Sequence, residues 1–130
     1  MVPRIGPLKI KAQIFCDDEP AMGPGKAALL EAIDREGSIS GAGRALGMSY
    51  RRTWLLVDSM NRCWNERLVE AVPGGGRDRG ARVTPCGHAV LQAYRALEQR
   101  ISEAATADGG LTTLTALMRE TPEPASTPSA

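Results

Sequence analysis

Apolar and polar residues alternate near the start of the chain. Over residues 8–16 (LKIKAQIFC) an apolar residue occupies nearly every second position, which is the period of a strand with one buried face. The acidic segment 17–19 and Pro20 then end the alternation. We therefore predict one half-buried strand over 8–16.

Apolar residues next recur every three or four positions, which is typical of helices that bury one face. The first such helix lies between residues 23 and 37 and ends at a glycine. Ser38 and Ser40 are both good N-cap residues for a short second helix that reaches about Leu46. Gly47 suits the turn after it, because glycine readily adopts left-handed backbone angles.

A third helix is predicted from Tyr50 to about Trp64. Ser49 directly precedes it and can cap it. Apolar residues follow one another in this helix at steps of three and four, so they should form its buried stripe. The predicted stripe consists of Trp54, Val57, Met60 and Trp64.

The second half of the chain reads as a hairpin followed by a long helix. Residues 68–72 and 81–84 are short strand patterns, and the glycine-rich basic segment 73–80 joins them. Thr84 and Pro85 are suited to begin the next helix. That helix carries a heptad-like seam, and a last short helix follows at 111–118. The seam consists of Val90, Tyr94, Leu97, Ile101 and Ala104.

This order of elements is that of a winged helix-turn-helix. The predicted fold class is mostly α with a small β hairpin, and its long C-terminal helix is predicted to form a dimer. Residues 1–120 are expected to form one DNA-binding and dimerisation domain. Residues 121–130 are rich in Pro, Ser and Thr, so we expect a disordered tail.

Charge is unevenly distributed along the chain. The formal net charge is +1, but residues 44–82 contain eight basic and four acidic residues. The segments on either side are net acidic, so a basic centre is hidden in the total. The sequence shows no secretory signal and no apolar run of about 20 residues that could span a bilayer. We expect a cytoplasmic protein without a membrane partner.

The basic centre suggests contact with double-stranded DNA. A recognition helix presents the side chains of its first turn to the major groove. Tyr50, Arg51 and Arg52 occupy this position, and arginine can bond guanine O6 and N7 together. A solvated helix face remains the alternative explanation for the arginines. The residues predicted to contact phosphate are Ser40, Ser49, Arg77 and Arg79, with Lys26 and Arg44 as weaker candidates.

No motif indicates an enzyme, a cofactor or a metal site. The three cysteines form no CxxC pair, and Cys86 and His88 are the only neighbouring cysteine and histidine. The single histidine has no recognisable nucleophile or acid beside it. The segment 74–80 lacks the lysine and the following helix of a P-loop. A flexible hairpin without a DNA role is the plainer alternative for this loop.

Two stretches resemble a known family. They are GSISGAGRALGMSYRRTW, with the later Met60 and Asn61, and LVEAVPGGGRDRGARVTPCG. Together they resemble the N-terminal DNA-binding domain of ModE-type molybdate-responsive regulators, a relative of the LysR-type winged helix. The resemblance runs from about Leu8 to about Met118. It implies operator binding by a dimer whose long C-terminal helices take part in the contact.

The resemblance and the seam together predict a homodimer through Val90, Tyr94, Leu97 and Ile101. Packing of this seam inside one chain is the alternative. Regulators of this family that sense molybdate carry further domains of the Mop type. We expect a stand-alone DNA-binding domain here, with any signal sensed in another way or by a separate effector or sensor protein.

The predicted function is sequence-specific regulation of transcription by a dimer on an inverted-repeat operator. Molybdenum-related genes are the expectation that the family resemblance gives. The alternative is an interaction module that has lost specific DNA reading and forms heterodimers with a full-length regulator. Arg51 is expected to determine sequence preference, whereas Arg79 is expected to contribute affinity for any DNA.

Overall fold

A computed structural model describes residues 4–73 and 80–126. Three short antiparallel hairpins accompany the described helices. The helices are α1 (Pro24–Glu36), α2 (Ile39–Ala45), α3 (Tyr50–Cys63), α4 (Pro85–Ala107) and α5 (Gly109–Leu117). The strands are β1 (Arg4–Ile5), β2 (Leu8–Lys9), β3 (Ile14–Cys16), β4 (Glu19–Met22), β5 (Val69–Ala71) and β6 (Ala81–Val83).

The prediction of one strand over residues 8–16 is wrong. This segment contributes β2, which pairs with β1, and β3, which pairs with β4. Residues 10–13 between them form no strand. The side chains of β3 are exposed, so its apolar residues do not form the predicted buried face. Buried residues lie instead on β4, where Ala21 and Met22 are buried and Met22 belongs to the helical core.

The helix-turn-helix region is built around α1. Leu29, Leu30 and Ile33 of α1 are fully buried, as the helical spacing predicted. They join a core that includes Met60 of α3 and Leu68, which precedes β5. Helices α1, α2 and α3 therefore share one apolar interior.

The predicted hairpin is present. Strands β5 and β6 pair antiparallel, with Val69 opposite Val83. The backbone N–H of Ala81 donates to Gly37 O at the end of α1 over 2.9 Å. This contact fixes the hairpin against the helical core. The chain therefore has the predicted winged helix-turn-helix fold, mostly α, with two N-terminal hairpins that the sequence did not suggest.

The long helix begins at Pro85, with Thr84 as its N-cap. Its predicted seam is only partly available to a second chain. Tyr94 is buried within its own chain, and its hydroxyl donates to Ala12 O over 2.7 Å. Val90 packs against the core, whereas Ile101 is half-buried and Leu97 is 40% exposed. Tyr94 therefore packs inside its own chain, which was the alternative interpretation of the seam. It is not free to contact another protomer.

Within the described residues, α5 is the last element of regular structure. Residues 121–126 form neither helix nor strand, and the predicted disorder of 121–130 stays a prediction. Among the helices of the described ranges, none combines the length and the hydropathy needed to cross a membrane.

Candidate nucleic-acid interface

Two helix caps and one turn set the geometry of the helix-turn-helix. Ser38 caps α2 by accepting from the Gly41 N–H over 2.9 Å. Gly47 has φ +68°, which is the left-handed turn that its position predicted. Ser49 caps α3 by accepting from the Arg52 N–H over 3.1 Å. These contacts set the point and direction at which α3 begins.

Helix α2 approaches α3 closely at one glycine. A Cβ atom added to Gly43 would lie 2.3 Å from Oγ1 of Thr53. Thr53 is fully buried, and its hydroxyl donates to Ser49 O over 2.8 Å. Glycine at 43 is therefore required by packing, since any larger residue would push the two helices apart.

The first turn of α3 presents a basic and aromatic surface to solvent. Tyr50 is 67% exposed, and Arg51 and Arg52 are exposed beside it. Across residues 4–73 and 80–126, neither arginine forms an ion pair with a carboxylate. Two guanidinium groups are thus available to an external anion or base.

The exposed surface continues along α3 where a buried stripe was predicted. Val57 and Met60 are buried, and Trp64 packs against the core, as expected. Trp54 is 44% exposed, so its assignment to the buried stripe is wrong. Its ring meets the Tyr50 ring edge-on, with centroids 6.0 Å apart. Leu55 beside it is 57% exposed.

The charged residues near the C-terminal end of α3 form a network of hydrogen bonds and ion pairs with one another. Lys26 is only 8% exposed, and its ammonium group donates to Pro20 O and, over 3.1 Å, to Ser59 Oγ. The Ser59 hydroxyl lies 2.8 Å from Glu19 Oε1. Arg62 bonds both Glu19, over 3.1 Å, and Asp58, over 2.9 Å. The position of Lys26 counts against the predicted phosphate contact, because its ammonium group is already bonded within the fold.

The ionisation of this network follows from its contacts. The hydrogen bond from Ser59 lowers the pKa of Glu19, and Arg62 and Lys26 add to the effect. Desolvation lowers the pKa of Lys26, against the opposing effect of Glu19. The hydrogen bond to Asp58 raises the pKa of Arg62. Glu19 and Arg62 are therefore charged at neutral pH and form an ion pair.

The remaining predicted phosphate contacts occupy different environments. Ser49 is exposed at the start of α3, and Arg44 is exposed in the last turn of α2. Ser40 is half-buried in the first turn of α2. Arg77 and Arg79 lie outside the described residues.

Asn61 anchors the hairpin to α3. Its side-chain oxygen accepts from the N–H groups of Leu68 and Val69, over 2.9 and 3.1 Å. Its side-chain nitrogen donates to Val69 O over 3.1 Å. One amide thus satisfies three backbone groups where β5 begins. Sequence reasoning noted Asn61 only through the family resemblance, since its partners become neighbours only in the folded chain.

A closely packed pair of helices, an exposed basic first turn on the second and an attached hairpin define a winged helix-turn-helix of the DNA-binding kind. No family model matches the chain. It is 41% identical over 85 residues to the molybdenum-pterin-binding protein MopA of Rhodobacter capsulatus, covering 65% of this chain and 32% of MopA. It is 34% identical over 92 residues to the transcriptional dual regulator ModE of Escherichia coli, covering 71% and 33%.

The chain is thus a homologue of ModE-type molybdate-responsive regulators and corresponds to their N-terminal part. It spans about a third of the length of the curated relatives it matches. Among solved structures, it is similar to the LysR-type regulator LysG of Corynebacterium glutamicum. That likeness has 26% identity and a TM-score of 0.49, and it covers 75% of this chain and 30% of LysG.

Proposed function

We propose that this protein is a sequence-specific DNA-binding regulator of transcription, and that α3 is its recognition helix. The observation that carries the proposal is the unpaired state of Arg51 and Arg52 on the exposed first turn of α3, among the described residues. An exposed arginine that only improves solubility does not need to lie on a helix held in a fixed orientation. Here the caps at Ser38 and Ser49 and the contact between Gly43 and Thr53 fix the helix that carries the arginines.

The roles of the individual residues follow from their positions. Arg51 and Arg52 bond base edges, with Tyr50 at the rim of the same surface. Ser49 and Arg44 are exposed and contact phosphates, and Ser40 assists at the start of α2. Arg77 and Arg79 remain proposed phosphate contacts of the wing. Lys26 is left out, because its ammonium group is bonded to Pro20 and Ser59.

The proposed active form is a homodimer on an inverted repeat. Leu97 of α4 is 40% exposed, and α5 exposes Leu114, Leu117 and Met118. Residues 109–118 contain no charged side chain, so two copies of this surface can approach without repulsion. A dimer of this kind would place two copies of α3 about one turn of DNA apart, or a multiple of it. Sedimentation of the native chain and of Leu97→Asp tests this, with the variant expected as a monomer.

We propose genes of molybdenum metabolism as the regulated targets, since the relative MopA is named a molybdenum-pterin-binding protein. The second candidate function is an interaction module that pairs with a longer regulator. The uncharged, exposed apolar surface of α5 favours it, because that surface fits a protein partner as well as a second copy. The two functions predict different behaviour of the isolated chain: a regulator prefers particular DNA sequences, whereas an interaction module does not.

The test is selection of fragmented genomic DNA by the purified protein at about physiological salt, followed by sequencing. A regulator should recover a few fragments that share an inverted repeat, and the adjacent genes would identify its pathway. Uniform, salt-sensitive recovery without a shared motif would contradict sequence-specific binding and favour the interaction module. The variant Arg119→Ala should recover the same fragments as the native protein. It removes one exposed arginine, which pairs only with Glu123 among the described carboxylates.

A further inference from the structure

The exposed face of α3 is apolar as well as basic. Trp54 and Leu55 follow Arg51 by three and four positions, so they flank it on the helix surface. Both are large apolar side chains, with 44% and 57% of their surface exposed. A contiguous apolar patch on a protein surface often marks a binding site.

The charge around these residues indicates an anionic partner. Arg51 and Arg52 lie on the same stretch of helix without a carboxylate partner among the described residues. Asp58 is the one acidic residue within α3, and it would repel a phosphate backbone. Its carboxylate is bonded to Arg62 over 2.9 Å, so this repulsion is reduced. The surface is therefore cationic at its start and apolar next to it.

The major groove of DNA offers both kinds of complement. Guanine presents two acceptors to arginine, and thymine presents its C5-methyl group to apolar side chains. We propose that Leu55 and Trp54 are specificity-determining residues that contact thymine methyl groups beside the base bonded by Arg51. This inference rests on the proposed function and adds the class of base that lies next to the arginine contact. A protein partner on this surface would show no dependence on thymine methyl groups.

The test uses the inverted repeat obtained by selection with the full 130-residue chain. Each thymine in the repeat is replaced in turn by deoxyuridine, which lacks only the C5-methyl group. At the contacted positions, affinity of the unaltered protein should fall about fourfold, corresponding to about 0.8 kcal/mol for one buried methyl group. Affinity should not change at thymines outside the contact.

The same DNA series is then measured with Leu55→Ala and, separately, with Trp54→Ala. Each variant should lose the methyl dependence at its own thymine, because the contacting side chain is absent. Phe15→Ala removes a similarly exposed apolar side chain from β3 and should retain the full fourfold effect. Leu55 is exposed, so its truncation should leave folding intact, which thermal unfolding checks.

Two results would overturn the inference while the proposed function stands. One is a shared motif in which no thymine responds to loss of its methyl group. The other is a methyl effect of equal size in the native chain and in both variants. If selection recovers no shared motif at all, the proposed function fails first, and the inference fails with it.

Discussion

The two ends of α3 differ in whether their charged residues have partners within the described fold. At the C-terminal end, Arg62 is bonded to Asp58 and Glu19, and the neighbouring Ser59 bonds Lys26. At the N-terminal end, Arg51 and Arg52 have no such partners within the described ranges. A single helix of 14 residues thus carries a closed network and an open cationic surface.

This difference separates charges that support the fold from charges that remain available for binding. Buried or bonded charges must be satisfied internally, because removal from water is costly. Exposed arginines carry no such requirement, and surface ion pairs contribute little to stability in any case. Substitution of the buried Lys26 or Ser59 should therefore affect folding, whereas substitution of Arg51 or Arg52 should affect DNA binding alone.

Gly43→Val should have the largest effect, because it disturbs the close contact between α2 and the first turn of α3. Even the Cβ atom of the added side chain would lie 2.3 Å from Thr53 Oγ1, which is well inside van der Waals contact. We expect a loss of about 3 kcal/mol in the free energy of unfolding, together with weaker DNA binding. Urea denaturation measures the first effect. Gly25→Ala is the control, because its Cβ would meet no atom within 4 Å.

Lys26→Met should lower stability and leave DNA recognition unchanged. Methionine retains most of the apolar stem, but Ser59 Oγ loses its donor and Pro20 O keeps only the longer bond from Ser59, at 3.3 Å. The expected loss is about 2 kcal/mol in the free energy of unfolding. Lys11→Met, at an exposed position, should change stability little. If Lys26→Met instead weakened DNA binding with no loss of stability, the proposed separation of the two ends would be incorrect.

Arg51→Ala should show the opposite behaviour. Stability should stay within about 0.5 kcal/mol of the native value, because the side chain is exposed. Discrimination between the selected repeat and unrelated DNA should fall by about 1.5 kcal/mol, or roughly tenfold. Competition binding at fixed salt measures this, with Arg119→Ala as the control for loss of one charge. An equal loss of affinity for both DNAs would assign Arg51 to phosphate contact.

Local features of the chain were predicted well, because their causes lie within a few residues. Ser38, Ser49 and Thr84 cap the helices they precede, and Gly47 forms the expected left-handed turn. The hairpin of β5 and β6 follows from two short strand patterns separated by a glycine-rich segment. Each of these signals depends on residues close in sequence.

The errors arose where distant residues decide the outcome. An apolar pattern predicts burial for Trp54, but it cannot distinguish a core residue from one that faces a ligand. Strand β3 pairs with β4, whose sequence EPAM shows no alternation and contains a proline. Lys26 is buried by contacts with Ser59, which lies 33 positions away. For the proposed DNA-binding surface, the sequence indicated Arg51 and Arg52, whereas it assigned Trp54 to the buried stripe and gave Leu55 no role.

Tyr94→Phe should have the smallest effect, and it extends the comparison to α4, where a residue predicted for dimerisation supports the fold. Loss of the bond to Ala12 O should cost about 1 kcal/mol at pH 7. Burial raises the pKa of Tyr94 from 10 to about 12, so the folded state holds this proton more tightly than the unfolded state. Its contribution is thus complete below pH 10 and is lost towards pH 12. The stability gap between native protein and variant should narrow over that range in urea denaturation, and a constant gap would contradict burial of the hydroxyl. Tyr50→Phe, which removes an exposed hydroxyl, is the matched control.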